Sequence, residues 1–337
     1  MKKIRQQLVS TFFGATLFLQ AGCAFSGTQP QSYAKHPEAR AFIQEMSAEG
    51  FEAAYLEKLL SQAKRQNSIL KAISRPAEKR LNWGQYRNIF LKQKRISRGA
   101  EFWQQNKTAL ARAEKEYGVP AEFIVAIIGV ETHYGRITGN YRVLDALATL
   151  GFDYPKRARF FRGQLKEYLR LVREEQLDPL SLKGSYAGAM GYGQFIPSSY
   201  RHYAVDFDGD GKRNIWTNTT DAIGSVANYF AEHGWIKGGP VISNLTIETV
   251  ADDKWANAGL KPKLSLAEWS ARGIQASPSL MPDQLATLMR LENADQTRYL
   301  FGLHNFYVIT RYNHSHLYAM AVYELSQAVK NEYGKAE

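Results

Sequence analysis

Cysteine occurs once in these 337 residues, at Cys23, which excludes an intramolecular disulfide framework. Long apolar runs are also missing. The stretch from Leu8 to Leu19 reaches little more than half of the ~20 residues that a spanning helix needs. No internal repeat and no low-complexity tract is visible, which excludes a solenoid and a disordered tail of biased composition. Acidic side chains are in the minority: 32 Asp and Glu stand against 43 Lys and Arg, a formal net charge of +11.

What is present begins with an address. Lys2, Lys3 and Arg5 precede the short apolar run, the pattern of a secretory signal. Its removal through Gly22 takes those three bases with it and lowers the net charge to +8. A chain that is still basic suits a polyanionic partner. Outside the inner membrane that polymer is the cell wall, and no nucleic-acid partner is expected. Ala21-Gly22-Cys23 resembles the end of a bacterial lipobox, with Cys23 as the lipidated residue; Gln20 departs from the leucine usual there. Ala24 after the cysteine, in place of aspartate, points to the outer membrane. Residues from Ala24 to about His36 are small, polar and turn-prone, and read as a tether.

From Pro37 to Arg112 amphipathic helices are expected, for example Ala53–Ala63 with Tyr55, Leu56, Leu59, Leu60 and Ala63 on one stripe. Trp83, Tyr86, Phe90 and Trp103 interleave with basic residues there, a mixture that suits sugar rings and acidic peptides but equally a core beside a solvated face. The stretch around which the chain is organised follows, from Val119 to Gly135. Pro120 suits a first helical residue and Glu122 a first turn. Phe123, Ile124, Val125, Ala126, Ile127, Ile128 and Val130 leave almost no polar face, which marks a buried helix. Glu131 stands at its end. Apolar surroundings and the negative end of the helix dipole both push a carboxyl pKa upward, towards that of an acid able to protonate a glycosidic leaving group. A terminal glutamate that simply reaches solvent fits the helix equally well.

A long amphipathic helix is expected from Ala158 to about Glu175. Between Gly184 and Pro197 four glycines fall within ten residues, Gly184, Gly188, Gly191 and Gly193. They destabilise a helix and let backbone approach a ligand, while Ser185, Tyr186, Tyr192 and Gln194 offer hydrogen bonds. Tight packing over small residues is the other reading. Asp206, Asp208 and Asp210, with Gly211 next and the Lys212 carbonyl after it, match the opening of a calcium loop. The match fails at its twelfth position, Thr217, and the next acid is Asp221. A helix runs on to His233, and Gly234 to about Pro282 is punctuated by glycine and proline. Val241–Val250, Leu288–Glu292 and Tyr299–Gly302 read as short strands. His314 and His316 lack a third metal ligand.

Four segments carry a resemblance: Gly129-Val130-Glu131-Thr132-His133-Tyr134-Gly135, the stretch from Gly184 to Pro197, the Asp206 loop with Asp221 to Phe230, and Arg311-Tyr312-Asn313. In order and with few gaps, from about Pro37 to the C-terminus, they resemble the membrane-bound lytic murein transglycosylase B family. The resemblance implies a mainly α fold: a lysozyme-like helical core, an added helical domain and a small β-rich subdomain. Beyond the signal peptide over 1–22 and the tether over 23–36 read from composition, it implies an N-terminal helical region over 37–80, the catalytic core with its calcium loop over 81–237, a β-rich insertion over 238–303, and a C-terminal segment over 304–337 returning to the core.

It further implies that Glu131 is the single catalytic acid/base. Ser185, Gln194, Tyr229, Tyr312, Asn313 and Tyr318 would line the glycan cleft, with Tyr86 at its edge. Asp206, Asp208, Asp210, Lys212 and Asp221 would hold a structural calcium, although Asp221 lies one residue further along than in the family. The implied partner is the peptidoglycan glycan strand, cut by a periplasmic, lipid-anchored and monomeric enzyme at the inner leaflet of the outer membrane, with wall-synthesis enzymes as further partners. No cofactor for chemistry is implied. A hydrolytic muramidase would need a second acid, for which Asp145 and Asp153 are weak candidates. A wall-binding lipoprotein without activity would not need a buried acid at Glu131.

Overall fold

The computed structural model describes residues 32–74, 81–246, 253–294 and 296–335. The expected signal peptide and Cys23 lie outside them, as do residues 247–250 of the expected Val241–Val250 strand. Helices dominate, and no described helix is long and apolar enough to cross a membrane. The chain divides into two compact units, one formed by the described parts of 79–134 and 226–337, the other by those of 16–78 and 135–225. The stretch 81–237 is thus shared between two units, with the Glu131 segment and the C-terminal helices in one and the glycine-rich and aspartate-rich loops in the other.

In the first unit the helix Ala121–Thr132 is the centrepiece. Ile124 to Ile128 are fully buried, as their unbroken apolar run requires. It packs against the helices His316–Tyr333 and Gln93–Gln105. Pro120 precedes its first residue, one place earlier than the sequence reading set it. At the outer end Glu122 is buried and accepts a hydrogen bond from Lys330 Nζ at 2.8 Å, so the first turn is tied to the C-terminal helix. The segment that precedes it ends as helix ends should: Gly118, at φ 71°, closes Lys107–Tyr117. The β-rich region is a four-stranded antiparallel sheet in the order Ile242–Asn244, Thr297–Gly302, Leu285–Glu292, Leu264–Ser265. Its buried face carries Ala286, Leu288, Phe301 and Leu303 against Leu266, Trp269 and Ile274. After it come the helices His304–Tyr312 and His316–Tyr333, the second capped by the Ser315 hydroxyl.

In the second unit the helix Val143–Asp153 packs on Ala158–Glu174, and Pro197–Tyr203 lies against the latter. Ala53–Gln62 forms as read from its stripe, with Leu56, Leu59 and Leu60 buried but Tyr55 exposed. The tether ends sooner than His36. Tyr33 begins a short 3-10 turn, is 2% exposed, and donates its hydroxyl to Asp153 at 2.5 Å. An aromatic ring among small polar residues was the signal for that anchor.

Candidate active site

Glu131 occupies the last turn of its helix, and the chain then leaves abruptly. His133, Tyr134 and Gly135 all have positive φ, at 54°, 61° and 78°. Two successive non-glycine residues in the left-handed region store strain that their surroundings must hold. Two contacts do so. Arg98 Nη1 donates to His133 Nε2 at 2.9 Å. Tyr134 is buried in a notch left by two glycines: a Cβ added at Gly129 would lie 2.6 Å from the Tyr134 hydroxyl, and one at Gly99 equally close. The sequence reading missed both contacts. Gly129 inside an otherwise bulky helix was the available sign. Gly129→Ala should therefore drive a methyl into the ring, at a cost of about 1–3 kcal/mol. A lower melting temperature together with lost activity is the expected result, and an unchanged melting curve would show that the notch is slack.

The Glu131 side chain keeps partial access to solvent, yet protein packed around its carboxyl pushes the pKa up to about 7, against a hydrogen bond from Tyr318 that lowers it. That bond runs from the Tyr318 hydroxyl to Glu131 Oε1 at 2.5 Å. Among the described residues no charged side chain contributes to the acidity of Glu131. Burial, and then the Glu131 charge, raise the Tyr86 and Tyr312 hydroxyls far above their ordinary values. The Tyr312 ring sits 4.6 Å from that of Tyr229, whose hydroxyl donates to the Arg311 carbonyl at 2.6 Å. Tyr86, Tyr229, Tyr312 and Tyr318 thus gather around the acid, and Asn313 follows Tyr312 at the end of its helix. These come from widely separated elements, brought together by the C-terminal return. Tyr318→Phe should move the alkaline limb of any pH–rate profile upward, because the bond that lowers the Glu131 pKa is lost; a limb that stays in place would detach Tyr318 from the acid.

Ser185 and Gln194 belong to the other unit, in a compact loop. The Ser185 hydroxyl accepts the N–H groups of Ala187 and Ala189, at 3.3 and 3.0 Å. Gln194, at φ 51°, donates through Nε2 to the carbonyls of Thr138 and Gly191. The loop glycines are needed by the loop itself. A Cβ at Gly184 would stand 2.2 Å from the Ala189 carbonyl oxygen, and one at Gly191, 2.4 Å from that of Ile215. The second-acid candidates are otherwise engaged. Asp145 takes a two-pronged bond from Arg142, at 2.9 and 2.6 Å, and the Lys64 N–H at 2.9 Å. Asp153 takes the Tyr33 hydroxyl and lies 3.2 Å from Arg65 Nε.

The same unit holds the acidic loop. One carboxylate oxygen from each of Asp206, Asp208, Asp210 and Asp221 lies within 4.8 Å of the others. Asp221 is fully buried, with Oδ1 accepting from the Phe207 N–H and Oδ2 from that of Asn214, both at 2.7 Å. Thr217 is taken up in a turn, accepting from Asn214 Nδ2 at 2.7 Å, so the helix-borne Asp221 closes the set in its place. Lys212 lies in the same turn, its N–H on Asp210 Oδ1. Four hard oxygen donors converging without a cationic side chain among them fit a calcium ion. The two histidines are spoken for: His314 Nε2 meets Arg311, and His316 Nε2 lies 3.2 Å from the Gly259 carbonyl.

One carboxyl of raised pKa among tyrosines, on a mainly helical frame, is the arrangement of a glycan-cutting site that works with a single acid. The chain belongs to the transglycosylase SLT domain family, whose pattern it matches over residues 34–327. It is 48% identical over 307 residues to the membrane-bound lytic murein transglycosylase B of Escherichia coli K12, covering 88% of this chain and 84% of that one. Among solved structures it is similar to the soluble lytic transglycosylase SltB1 of Pseudomonas aeruginosa, with 55% identity, a TM-score of 0.85, 88% of this chain and all of that one. It is also similar to the Escherichia coli lytic transglycosylase Slt35 in complex with calcium, at 47% identity and a TM-score of 0.83, over 91% and 97% of the two chains.

Proposed function

We propose that this protein is a lytic transglycosylase that cleaves the β-1,4 bond between N-acetylmuramic acid and N-acetylglucosamine in peptidoglycan without consuming water. The observation that carries the reading is the Glu131 carboxyl, with a pKa near 7, a hydroxyl partner in Tyr318 and no second carboxylate influencing it among the described residues. Family membership and the relatives' shared activity support it.

The chemistry follows from having one acid. Protonated Glu131 gives its proton to the glycosidic oxygen as the C1–O bond breaks. The acetamido oxygen of the same muramic acid bonds to C1 and stabilises it, the role a second carboxylate plays in ordinary glycosidases. Glu131, now a carboxylate, takes the proton of the 6-hydroxyl, whose oxygen attacks C1 and displaces the acetamido group. A 1,6-anhydro ring closes, and Glu131 is again protonated. The clustered tyrosines Tyr86, Tyr229, Tyr312 and Tyr318, with Asn313, serve as a glycan-binding surface of their unit, and Ser185 and Gln194 offer hydrogen bonds to glycan in theirs. Asp206, Asp208, Asp210, Asp221 and the Lys212 carbonyl would hold a calcium ion, whose contribution would be to the stability of the loop and not to the chemistry. The reading places the mature enzyme in the periplasm, anchored through Cys23 to the outer membrane, and makes wall-synthesis enzymes its natural protein partners.

The test is mass spectrometry of muropeptides released from purified peptidoglycan by the protein without its first 23 residues. Products lighter by one water than reducing-end muropeptides are expected. Reducing ends would show that water reaches C1, and no release with retained binding would leave a wall-binding protein.

A further inference from the structure

Most arginines whose contacts define this fold are neutralised by a carboxylate; Arg87 with Glu324, Arg142 with Asp145 and Arg201 with Glu174 are examples. Arg311, like Arg98 on His133, is held by an imidazole instead. Its guanidinium meets no carboxylate among the described residues. Nη1 bonds His314 Nε2 at 3.1 Å, and the group lies 5.8 Å from the centre of the Tyr307 ring. Since a guanidinium only donates, His314 must accept through Nε2 in its neutral form. Burial, then the Arg311 charge, hold the His314 pKa below its ordinary value. An imidazole of this kind orients the guanidinium without cancelling its charge. A neighbouring carboxylate would have done both.

The backbone of the same residue has separate work, since its carbonyl takes the Tyr229 hydroxyl. The side chain is therefore not needed for that contact. It stands next to Tyr312 and is partly exposed. Its charge holds down the pKa values of both His233 and His314, after burial in each case. The remaining N–H donors form a fork suited to a carboxylate.

On a peptidoglycan strand the sugar backbone is neutral, and carboxylates are carried by the peptide stem attached to muramic acid. We propose that Arg311 binds a stem carboxylate and gives the enzyme a preference for strands whose stem carboxylates are free over strands in which they are capped. The inference rests on the lytic reading above and names the part of the substrate that this side chain recognises.

Two substrates test it: purified glycan strands with their stems, and the same strands with the stem carboxylates capped as methylamides by carbodiimide coupling. Arg311→Gln should raise KM on uncapped strands about tenfold, with kcat within about twofold, the scale of one partly exposed charge-assisted contact. On capped strands it should change neither by more than about twofold. Arg311→Lys, which keeps the charge and loses the fork, should recover part of the loss. Equal losses on both substrates, or no loss on either, would overturn the assignment. Because the readout is a difference between substrates, a variant that folds poorly lowers both alike, and Arg311→Lys then decides. Wild-type protein inactive on both would instead defeat the lytic reading, and this inference with it.

Discussion

Glu131→Gln is expected to fold, to bind peptidoglycan, and to release muropeptides about 10²–10⁴ times more slowly than the parent, the range a positioned general acid contributes. Glutamine keeps the shape and can still accept the Tyr318 hydroxyl, but it has no proton of suitable acidity to give. A second effect separates this variant from a merely damaged one. The Glu131 pKa is raised from 4.5 to about 7 by burial. Between those values the native state holds a proton that the unfolded state has lost, so the group's contribution to stability is complete below about 4.5 and disappears as pH rises through 7. Above that, wild type carries a desolvated charge worth at most about 3 kcal/mol, and glutamine does not. The variant should therefore melt a few degrees above wild type at pH 8.5 and close to it at pH 4. Turnover of wild type should fall as pH rises through about 7. Activity within tenfold of wild type in Glu131→Gln would remove Glu131 from the mechanism.

Calcium chelation is expected to lower the melting temperature by about 5–10 °C, because an ion bound at a hundred times its dissociation constant contributes about 2.7 kcal/mol. The acidic loop explains the size. Four carboxylates within 4.8 Å of one another repel unless a cation stands among them. Asp210→Ala tests the site with least disturbance, since Asp210 is exposed and takes only the Lys212 N–H and no tertiary contact. In calcium it should melt below wild type; in chelator the two should coincide. Equal differences in both buffers would mean that the loop gains nothing from the ion. Activity per folded molecule should be the same in calcium and in chelator below the melting range.

The helix that carries Glu131 was legible because burial leaves a trace at every position: from Phe123 to Ile128 no polar residue interrupts it. The strand pair Leu285–Glu292 and Thr297–Gly302 was legible in part for a similar reason. The aspartate loop could be read as far as Asp210, where spacing along one turn sets the ligands. It could not be read securely at Asp221, which arrives from a helix and depends on tertiary placement. Likewise Gly129 and Gly99 show their purpose only against the Tyr134 ring, and the neutral His314 beside Arg311 only in space. The glycines from Gly184 to Gly193 fit either room for a ligand or tight packing over small residues. At Gly184 the room is taken by the Ala189 carbonyl of the same loop, and at Gly191 by the Ile215 carbonyl from the segment after the aspartates.

Tyr33 fixes the point at which the chain joins the body of its unit, and so, under the proposed anchor at Cys23, the greatest distance between anchor and enzyme. Nine residues separate Cys23 from that ring. Fully extended, such a span reaches no more than about 35 Å. With Cys23 acylated, the enzyme would graze a shell of wall one leash deep beneath the outer membrane. Lengthening that segment with glycine and serine should widen the shell without touching the chemistry.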